Sequence, residues 1–407
     1  MKSEKIHNSV IFETFDRLLA ATLASWSDSS SANVSVRTIA ARAGCAASAI
    51  DYHFGNLEHL YAAAQQEALQ QAEAWMKDRL DGLEWVRERP LDTSARAALV
   101  AGLIDDWCEG ERPLAMAMRE ACSAAPNGGN GGNGQAHGAW MALWRRFWAQ
   151  FAAITGMEAH AAMLALYFDG EVSQHVLRWN RPLDRALTGE TAQVLFAFVE
   201  NHPLPRPQIR QAFRDLAAHE FGVAEDGAEP DPLDQAAARI LLQSGFAALT
   251  FRNVAHEAGT TLGSTSYHYG SKSSLIRRAF EMLYRNHAGT AERLTGLAGN
   301  LRHAIVQVLV NDRQPILRAY DELILHISRD PEFIDLRGAI RGYHDPAAGW
   351  SVASMIGSDE PVSLALAAAY SSICRGIDHL ALAVPAAEAL QEGIAALAPF
   401  DRASGEE

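Results

Sequence analysis

"VSVRTIAARAGCAASAIDYHFGNLEHLY" occupies residues 34–61 of the chain, and "LTFRNVAHEAGTTLGSTSYHYGSKSSLI" occupies residues 249–276. The second stretch begins 215 positions after the first and repeats its apolar positions, its two glycines and its Tyr-His-aromatic-Gly run. The shared positions are Arg37/Arg252, Ile39/Val254, Ala40/Ala255, Ala43/Ala258, Gly44/Gly259, Tyr52/Tyr267, His53/His268, Phe54/Tyr269, Gly55/Gly270 and Leu60/Leu275. Because solenoid repeats are far shorter than this, the period indicates two whole units fused in one chain.

The repeated frame predicts two short helices joined by a tight turn. Apolar and small residues from Ile39 to Ala43 fall at helical spacing, and Gly44 follows where a helix commonly ends in a left-handed residue. A second helix is predicted over about 47–53, and Asn56 can cap the helix after it. An amphipathic helix precedes each frame. A glycine-centred helix pair can be an ordinary hairpin, but two copies in register favour a helix-turn-helix whose third helix enters the major groove.

The second copy, with the pattern "G(F/Y)xxLTFRNVAxEAGxxxGSxSYHYGSKxxL", resembles the amino-terminal domain of the tetracycline-repressor (TetR) family of bacterial regulators. The resemblance implies an all-α fold with two tandem units, each a three-helix DNA-binding head followed by a helical ligand-binding and dimerisation body. The expected bounds are 1–65 for the first head, 66–222 for the first body, 223–232 for a linker, 233–285 for the second head and 286–407 for the second body.

The resemblance also implies which residues of each head contact DNA. In the second head they are Arg252, Thr261, Ser264, Ser266, Tyr267, His268 and Lys272; in the first head they are Arg37, Ser48, Tyr52 and His53. The first head has Asp51 on the groove face and Leu57 where the family usually has lysine. Counting charged side chains gives −1 for residues 34–70 and +3 for residues 249–285. Since affinity depends steeply on the phosphates that are neutralised, we expect the first head to bind DNA more weakly.

An aromatic stripe, "AWMALWRRFWAQF" (139–151), lies in the first body. Such a stripe is most often core, but aromatic walls also line pockets for apolar or planar ligands. An apolar or aromatic small-molecule effector is therefore expected. The candidate ligand-binding residues are Trp107, Trp144, Phe147, Phe168 and Glu171 in the first body, and Tyr320, His326, Tyr343, Trp350 and Tyr370 in the second.

Composition limits the other classes of function. The chain has 407 residues and a formal charge of −14, so nucleic acid can be bound only through a local basic surface.

The four cysteines are scattered without a CxxC pair, and neither a structural metal nor a cofactor is expected. Neither a G-x-S-x-G elbow, an HExxH motif nor a Walker loop occurs, which argues against an enzyme. The absence of a signal peptide or membrane-length apolar run predicts a cytoplasmic protein with no membrane partner.

These features predict a ligand-responsive transcriptional regulator, and a repressor in particular. Its partner would be double-stranded operator DNA with unlike half-sites, because the two heads differ while a homodimer would favour a palindrome. The chain would act as a monomeric pseudo-dimer, and a homodimer of the fused chain stays open. The alternative is a small-molecule or protein sensor in which one or both heads no longer bind DNA.

Overall fold

All regular secondary structure that is described in this computed structural model is helical. The structure describes residues 2–29, 34–125, 132–220, 231–294, 301–311, 315–342 and 346–401. The all-α fold predicted from the sequence is therefore confirmed. Among the helices in these ranges, none has both the length and the apolar character needed to span a membrane.

Twenty α-helices are described in these ranges. Those of the first half are α1 (Lys2–Asp28), α2 (Val36–Ala43), α3 (Ser48–Phe54), α4 (Leu57–Asp81), α5 (Thr93–Asp105), α6 (Arg112–Ala124), α7 (Gly132–Thr155), α8 (Ala161–His175), α9 (Arg181–Val199) and α10 (Ile209–Glu220). Those of the second half are α11 (Pro232–Ser244), α12 (Phe251–Glu257), α13 (Leu262–Tyr269), α14 (Lys272–Leu294), α15 (Leu301–Asn311), α16 (Pro315–Ile327), α17 (Ile334–Gly342), α18 (Pro346–Ile356), α19 (Leu364–Ala383) and α20 (Ala386–Ala396). A π-helical turn, Asp106–Gly110, joins α5 to α6.

The chain divides into two compact units. The first comprises Met1–Pro90, Asp105–Ala161 and Leu382–Val384, and the second comprises Leu91–Ile104, Ala162–Ala381 and Pro385–Glu407. These units do not follow the bounds expected from the repeat, because most of α8, together with α9 and α10, groups with helices from the second half of the chain. The expected linker, 223–232, lies outside the described residues except for its last two positions, where α11 begins at Pro232.

The first unit has an aromatic core on its long helices. In this unit α4 packs along α7, and α6 packs against both α7 and α1. The rings of Trp75 and Trp107 lie 5.3 Å apart, and those of Trp107 and Trp144 lie 4.9 Å apart. The stripe over residues 139–151 faces inward, with its tryptophans and phenylalanines all buried. Core packing, the commoner role of such a stripe, accounts for this placement.

The second unit places a head on a bundle that is built from both halves of the chain. In this unit α11 packs on α12, α14 and α16. Of these, α12 is the first helix of the helix-turn-helix. Elsewhere α10 packs against α9 and α17, and α15 packs against α20. Most of α8 and α19 is buried, so these helices form the interior of the unit.

Candidate nucleic-acid interface and its connection to the body

The helix starts and turns of the second head are set by side-chain caps and one glycine. The Thr250 hydroxyl accepts a hydrogen bond from the Asn253 N–H at 3.2 Å and so caps α12. Gly259, in the turn after α12, has φ of 64°, a conformation that favours glycine. The Thr261 hydroxyl then accepts from the Ser264 N–H at 3.1 Å and caps α13. The sequence thus fixes where the recognition helix starts.

One side of α13 is open to solvent. Tyr267 is 93% exposed, and Ser264 and Ser266 are also exposed. The opposite side of the helix buries Thr265 and Tyr269 against the head. Arg252, at the start of α12, is exposed, as is Thr261 at the start of α13. This surface carries hydroxyl donors and a guanidinium, the groups that contact phosphates and base edges.

Two residues expected to contact DNA also contact other side chains of the protein. His268 is half-buried, with Nε2 3.5 Å from an Asp234 carboxylate oxygen and Nδ1 3.9 Å from one of Asp231. The Lys272 ammonium lies 5.7 Å from the centre of the Phe246 ring. Partial burial lowers the pKa of Lys272. In this conformation both side chains connect the recognition region to the rest of the head.

The first head has the same turn geometry with one cap missing. The Ser35 hydroxyl caps α2 by accepting from the Thr38 N–H at 3.1 Å, and Gly44 has φ of 65°. The Asn56 side chain accepts from the His59 N–H at 2.8 Å and caps α4, as the sequence predicts. At the start of α3, by contrast, Ala47 provides no side-chain cap. The recognition helix of the first head therefore lacks a stabilising contact that the second head has.

The exposed face of the first head carries an aspartate among the expected contacts. Arg37 and Ser48 are exposed, and Tyr52 is 70% exposed. Asp51 is exposed beside them. His53 is half-buried, with its ring centre 5.0 Å from that of Tyr52. This face offers fewer donors than the second head, and its carboxylate repels phosphate.

Comparison with known proteins agrees with the geometry of the second head. Residues 235–279 match the model of the tetR family of bacterial regulatory proteins. The match covers α11, α12, α13 and the start of α14, and it supports a DNA-binding helix-turn-helix of a transcription regulator. No curated protein matches the chain. The match does not extend to the first head.

The second head is joined to α16 through the loop that follows α11. A Glu322 carboxylate oxygen accepts the Phe246 N–H at 2.7 Å, and the Arg318 Nε donates to the other oxygen at 3.0 Å. The rings of Phe246 and His326 lie 4.1 Å apart. Burial lowers the pKa of His326, so the neutral ring is favoured. This hydrogen bond and this ring contact link the loop at the base of the second head to α16.

Within the second unit, α8 and α19 cross at two glycines. A Cβ added to Gly170 would lie 2.8 Å from the Ser372 Cα, and one added to Gly376 would lie 2.8 Å from the Leu166 Cα. Gly376 follows Gly170 by 206 positions, and Ser372 follows Leu166 by the same 206. Each contact is therefore the counterpart of the other, which is the relation that a two-fold axis gives between identical subunits.

A buried ionic group lies beside this crossing. The His379 ring is fully buried, with Nδ1 bonded to Asp169 on α8 and Nε2 bonded to Asp321 on α16 at 2.7 Å. Arg375 donates a second bond to Asp321 at 2.6 Å. Residues of both halves of the chain are thus held together by charge-assisted hydrogen bonds. Nothing in the sequence pattern pointed to this group.

Two groups of described side chains have ligand atoms near enough to one another to hold a metal ion. They are Asp231, Asp234 and His268, and Asp321, Asp378 and His379, with the atoms of each group within 4.8 Å. In both groups the imidazole already faces carboxylates of the protein, and these ion pairs account for the proximity.

The candidate ligand-binding residues are distributed over both units. Trp107, Trp144 and Phe147 lie together in the aromatic core of the first unit, whereas Phe168 and Glu171 belong to the second unit. Elsewhere in the second unit, Tyr320 contacts Phe280, His326 contacts Phe246, Tyr370 contacts Phe400, and Trp350 is 46% exposed. Tyr343 lies outside the described residues.

Proposed function

We propose that the protein is a ligand-responsive transcriptional repressor that acts as a single-chain pseudo-dimer on an operator with unlike half-sites. The observation that carries the proposal is the open face of α13, where Tyr267, Ser264 and Ser266 are exposed next to Arg252 within the segment matched to the regulator family. This exposed face offers a phenol, two hydroxyls and a guanidinium, which are groups that can contact phosphates and base edges.

Selection of bound genomic fragments by the purified full-length chain tests DNA binding. We expect a recovered site with two different halves, of which one dominates the affinity, because the heads differ in donors and in charge. The logarithm of the affinity should fall linearly with the logarithm of the salt concentration. Failure to enrich any fragment at low salt contradicts the proposal.

The pseudo-dimer is supported by the crossing of α8 and α19. In the family that the chain resembles, late helices of two subunits form the dimer interface, and here the equivalent pairs Gly170/Ser372 and Gly376/Leu166 come from one chain. This interface would then need no second subunit. Sedimentation of the free chain and of its operator complex tests this, and one chain per operator is expected.

Ligand response is supported by the contact between α16 and the second head. An effector that favours a shifted position of α16 would act on the loop at Phe246 through Glu322 and His326. Such an effector changes DNA affinity only if it binds the two head positions unequally. An apolar or aromatic molecule is the proposed class of effector.

The alternative, a sensor whose first head no longer binds DNA, is favoured by one feature. Asp51 lies exposed on α3, whose start is uncapped at Ala47. In that case the selected site would contain one half only. Footprinting of the selected fragment separates the two functions, because two bound heads protect two grooves and one head protects a single groove.

A further inference from the structure

The side chain of Tyr167, in the middle of α8, is fully buried in the second unit. Its hydroxyl has no hydrogen-bond partner in the part of the chain that is described. Buried polar groups are nearly always bonded in folded proteins, so an unbonded buried hydroxyl is a candidate to bind water or a ligand. Burial, to which Glu171 adds, raises the pKa of Tyr167 well above its usual value. The phenol therefore keeps its proton and can donate it to a hydrogen bond.

Arg210, at the start of α10, places a buried guanidinium near this phenol. Its Nη2 donates to the Thr191 hydroxyl at 2.7 Å. The pKa of Arg210 is lowered to about 10, mainly by burial; Glu171 opposes this shift and Arg341 adds to it. The cost of burying the positive charge thus outweighs the attraction of the carboxylates around it. An additional anion would stabilise this charge.

The Glu171 carboxylate, whose charge acts on both of these groups, is already engaged. One Glu171 oxygen accepts the Thr188 hydroxyl at 3.2 Å, and the other accepts the Ser372 hydroxyl at 3.0 Å. Arg341 lies 3.8 Å from the first of these oxygens and donates to Asp184 at 3.2 Å. Glu171 is thereby held in place, and its oxygens are directed to other donors than the phenol.

We propose that Tyr167 and Arg210 bind the carboxylate of a small-molecule effector. The phenol donates one hydrogen bond to it, and the planar guanidinium supplies charge-assisted bonds in the geometry that carboxylates accept. The proposal rests on the ligand-responsive function above and names the class of effector as a carboxylic acid. Tyr167 lies about one helical turn before Gly170 on α8. Occupancy of the site therefore acts on the helix that crosses α19.

The test uses full-length protein and three probes at constant ionic strength: sodium benzoate, sodium acetate, and benzamide as the neutral counterpart of benzoate. Thermal unfolding is followed while each probe is titrated, because a ligand that binds the folded state raises Tm. We expect both carboxylates to raise Tm in a saturable way and benzamide to have no effect. In Tyr167→Phe the apparent affinity for benzoate should fall about tenfold or more, as expected for the loss of one charge-assisted hydrogen bond.

Tyr167→Phe is a suitable variant because it removes an unbonded hydroxyl and keeps the ring. Without ligand it should unfold at the same temperature as the wild type or higher. Arg210→Gln should also lose the benzoate effect, and if this variant does not fold, Tyr167→Phe alone decides. The site is refuted if neither carboxylate shifts the Tm of the wild type, or if benzoate has equal affinity for the wild type and Tyr167→Phe.

Operator binding is measured separately with and without benzoate. Release of DNA by benzoate from the wild type but not from Tyr167→Phe supports both the site and the regulatory function. If benzoate binds saturably but leaves operator affinity unchanged, the carboxylate site is supported and ligand-responsive regulation is contradicted. If the chain binds its operator but binds no carboxylate, the proposed DNA-binding function is supported and the carboxylate site is refuted.

Discussion

Gly376 lies directly against the backbone of Leu166: a Cβ on Gly376 would be 2.8 Å from the Leu166 Cα and closer still to its carbonyl oxygen. Backbone atoms cannot rotate away as a side chain can, so the only relief is separation of the two helices. The same holds for Gly170 against Ser372. Close approach of α8 and α19 therefore depends on the absence of two side chains.

Gly170→Ala and Gly376→Ala should each destabilise the protein by roughly 1–3 kcal/mol, the usual effect of overpacking an interior. Gly189→Ala is the matched control, because Gly189 lies inside α9 and an added Cβ there meets no atom within 4 Å. That variant should gain about 0.5–1 kcal/mol from better helix propensity. Urea unfolding measures all three, and equal stabilities for Gly170→Ala and Gly189→Ala would contradict the close crossing.

Arg252→Ala should weaken binding to the selected operator much more than Arg37→Ala. Arg252 belongs to the head whose residues 249–285 carry a net charge of +3, whereas residues 34–70 of the head that holds Arg37 carry a net charge of −1. Each lost phosphate contact should also reduce the magnitude of the salt slope by about 1. Fluorescence anisotropy at several salt concentrations checks both effects. Loss of binding in Arg37→Ala with normal binding in Arg252→Ala would reverse the proposed order of the heads.

Thr261→Ala should destabilise the recognition helix of the second head by about 1 kcal/mol, because the Ser264 N–H loses its side-chain acceptor. Hydrogen exchange over residues 262–269 should accelerate. Thr261→Ser is the control, since it keeps the hydroxyl and the cap. If both variants exchange like the wild type, the cap does not contribute to the stability of α13.

Glu322→Ala should loosen the base of the second head by about 1–2 kcal/mol, the loss of a hydrogen bond to a charged acceptor. Faster hydrogen exchange at the Phe246 amide is the expected sign. Glu322→Gln keeps an acceptor and should restore much of the protection. Arg318→Ala removes only the half-exposed partner of Glu322, so its effect should stay below about 0.5 kcal/mol. An unchanged exchange rate in Glu322→Ala would show that the Phe246 amide is held by other contacts.

His326 should make the second unit less stable in acid. Its pKa is lowered from the usual 6.5, mainly by burial; Arg329 and Lys272 also lower it, while Asp330 raises it. The unfolded chain therefore takes up a proton at a higher pH than the folded chain does. The contribution of His326 to the free energy of unfolding is therefore present above about pH 6.5, and it is lost as the pH falls towards the pKa of His326 in the folded chain.

His326→Phe tests this sign, because it keeps an aromatic ring against Phe246 and removes the titrating group. The free energy of unfolding of the wild type should fall more between pH 7.5 and 5.5 than that of the variant. Parallel pH profiles of the wild type and the variant would show that the pKa of His326 is the same in the folded and unfolded chain.

Much of each head could be predicted from sequence because its determinants are local. Gly44 and Gly259 adopt the positive φ that their positions suggested, and Asn56 caps the helix that was expected to follow it. The aromatic stripe lies in a core because helical spacing puts its rings on one face.

The packing of the bundle in the second unit could not be predicted from the sequence. Glu171 and Arg341 are 170 positions apart, and neither stands in a pattern that predicts burial. Gly170 and Gly376 did carry a signal, since each interrupts an apolar helix without a turn nearby. Which helix each glycine approaches follows only from the fold.

The crossing of α8 and α19 also bears on how the regulator would respond to its own abundance. Two separate subunits must meet before they can occupy an operator, so at low copy number their active form varies with the square of expression. Here both crossing helices are part of the same polypeptide, and folding alone brings them together. Occupancy of the operator would then rise in direct proportion to the number of chains, and a cell could maintain repression with very few molecules.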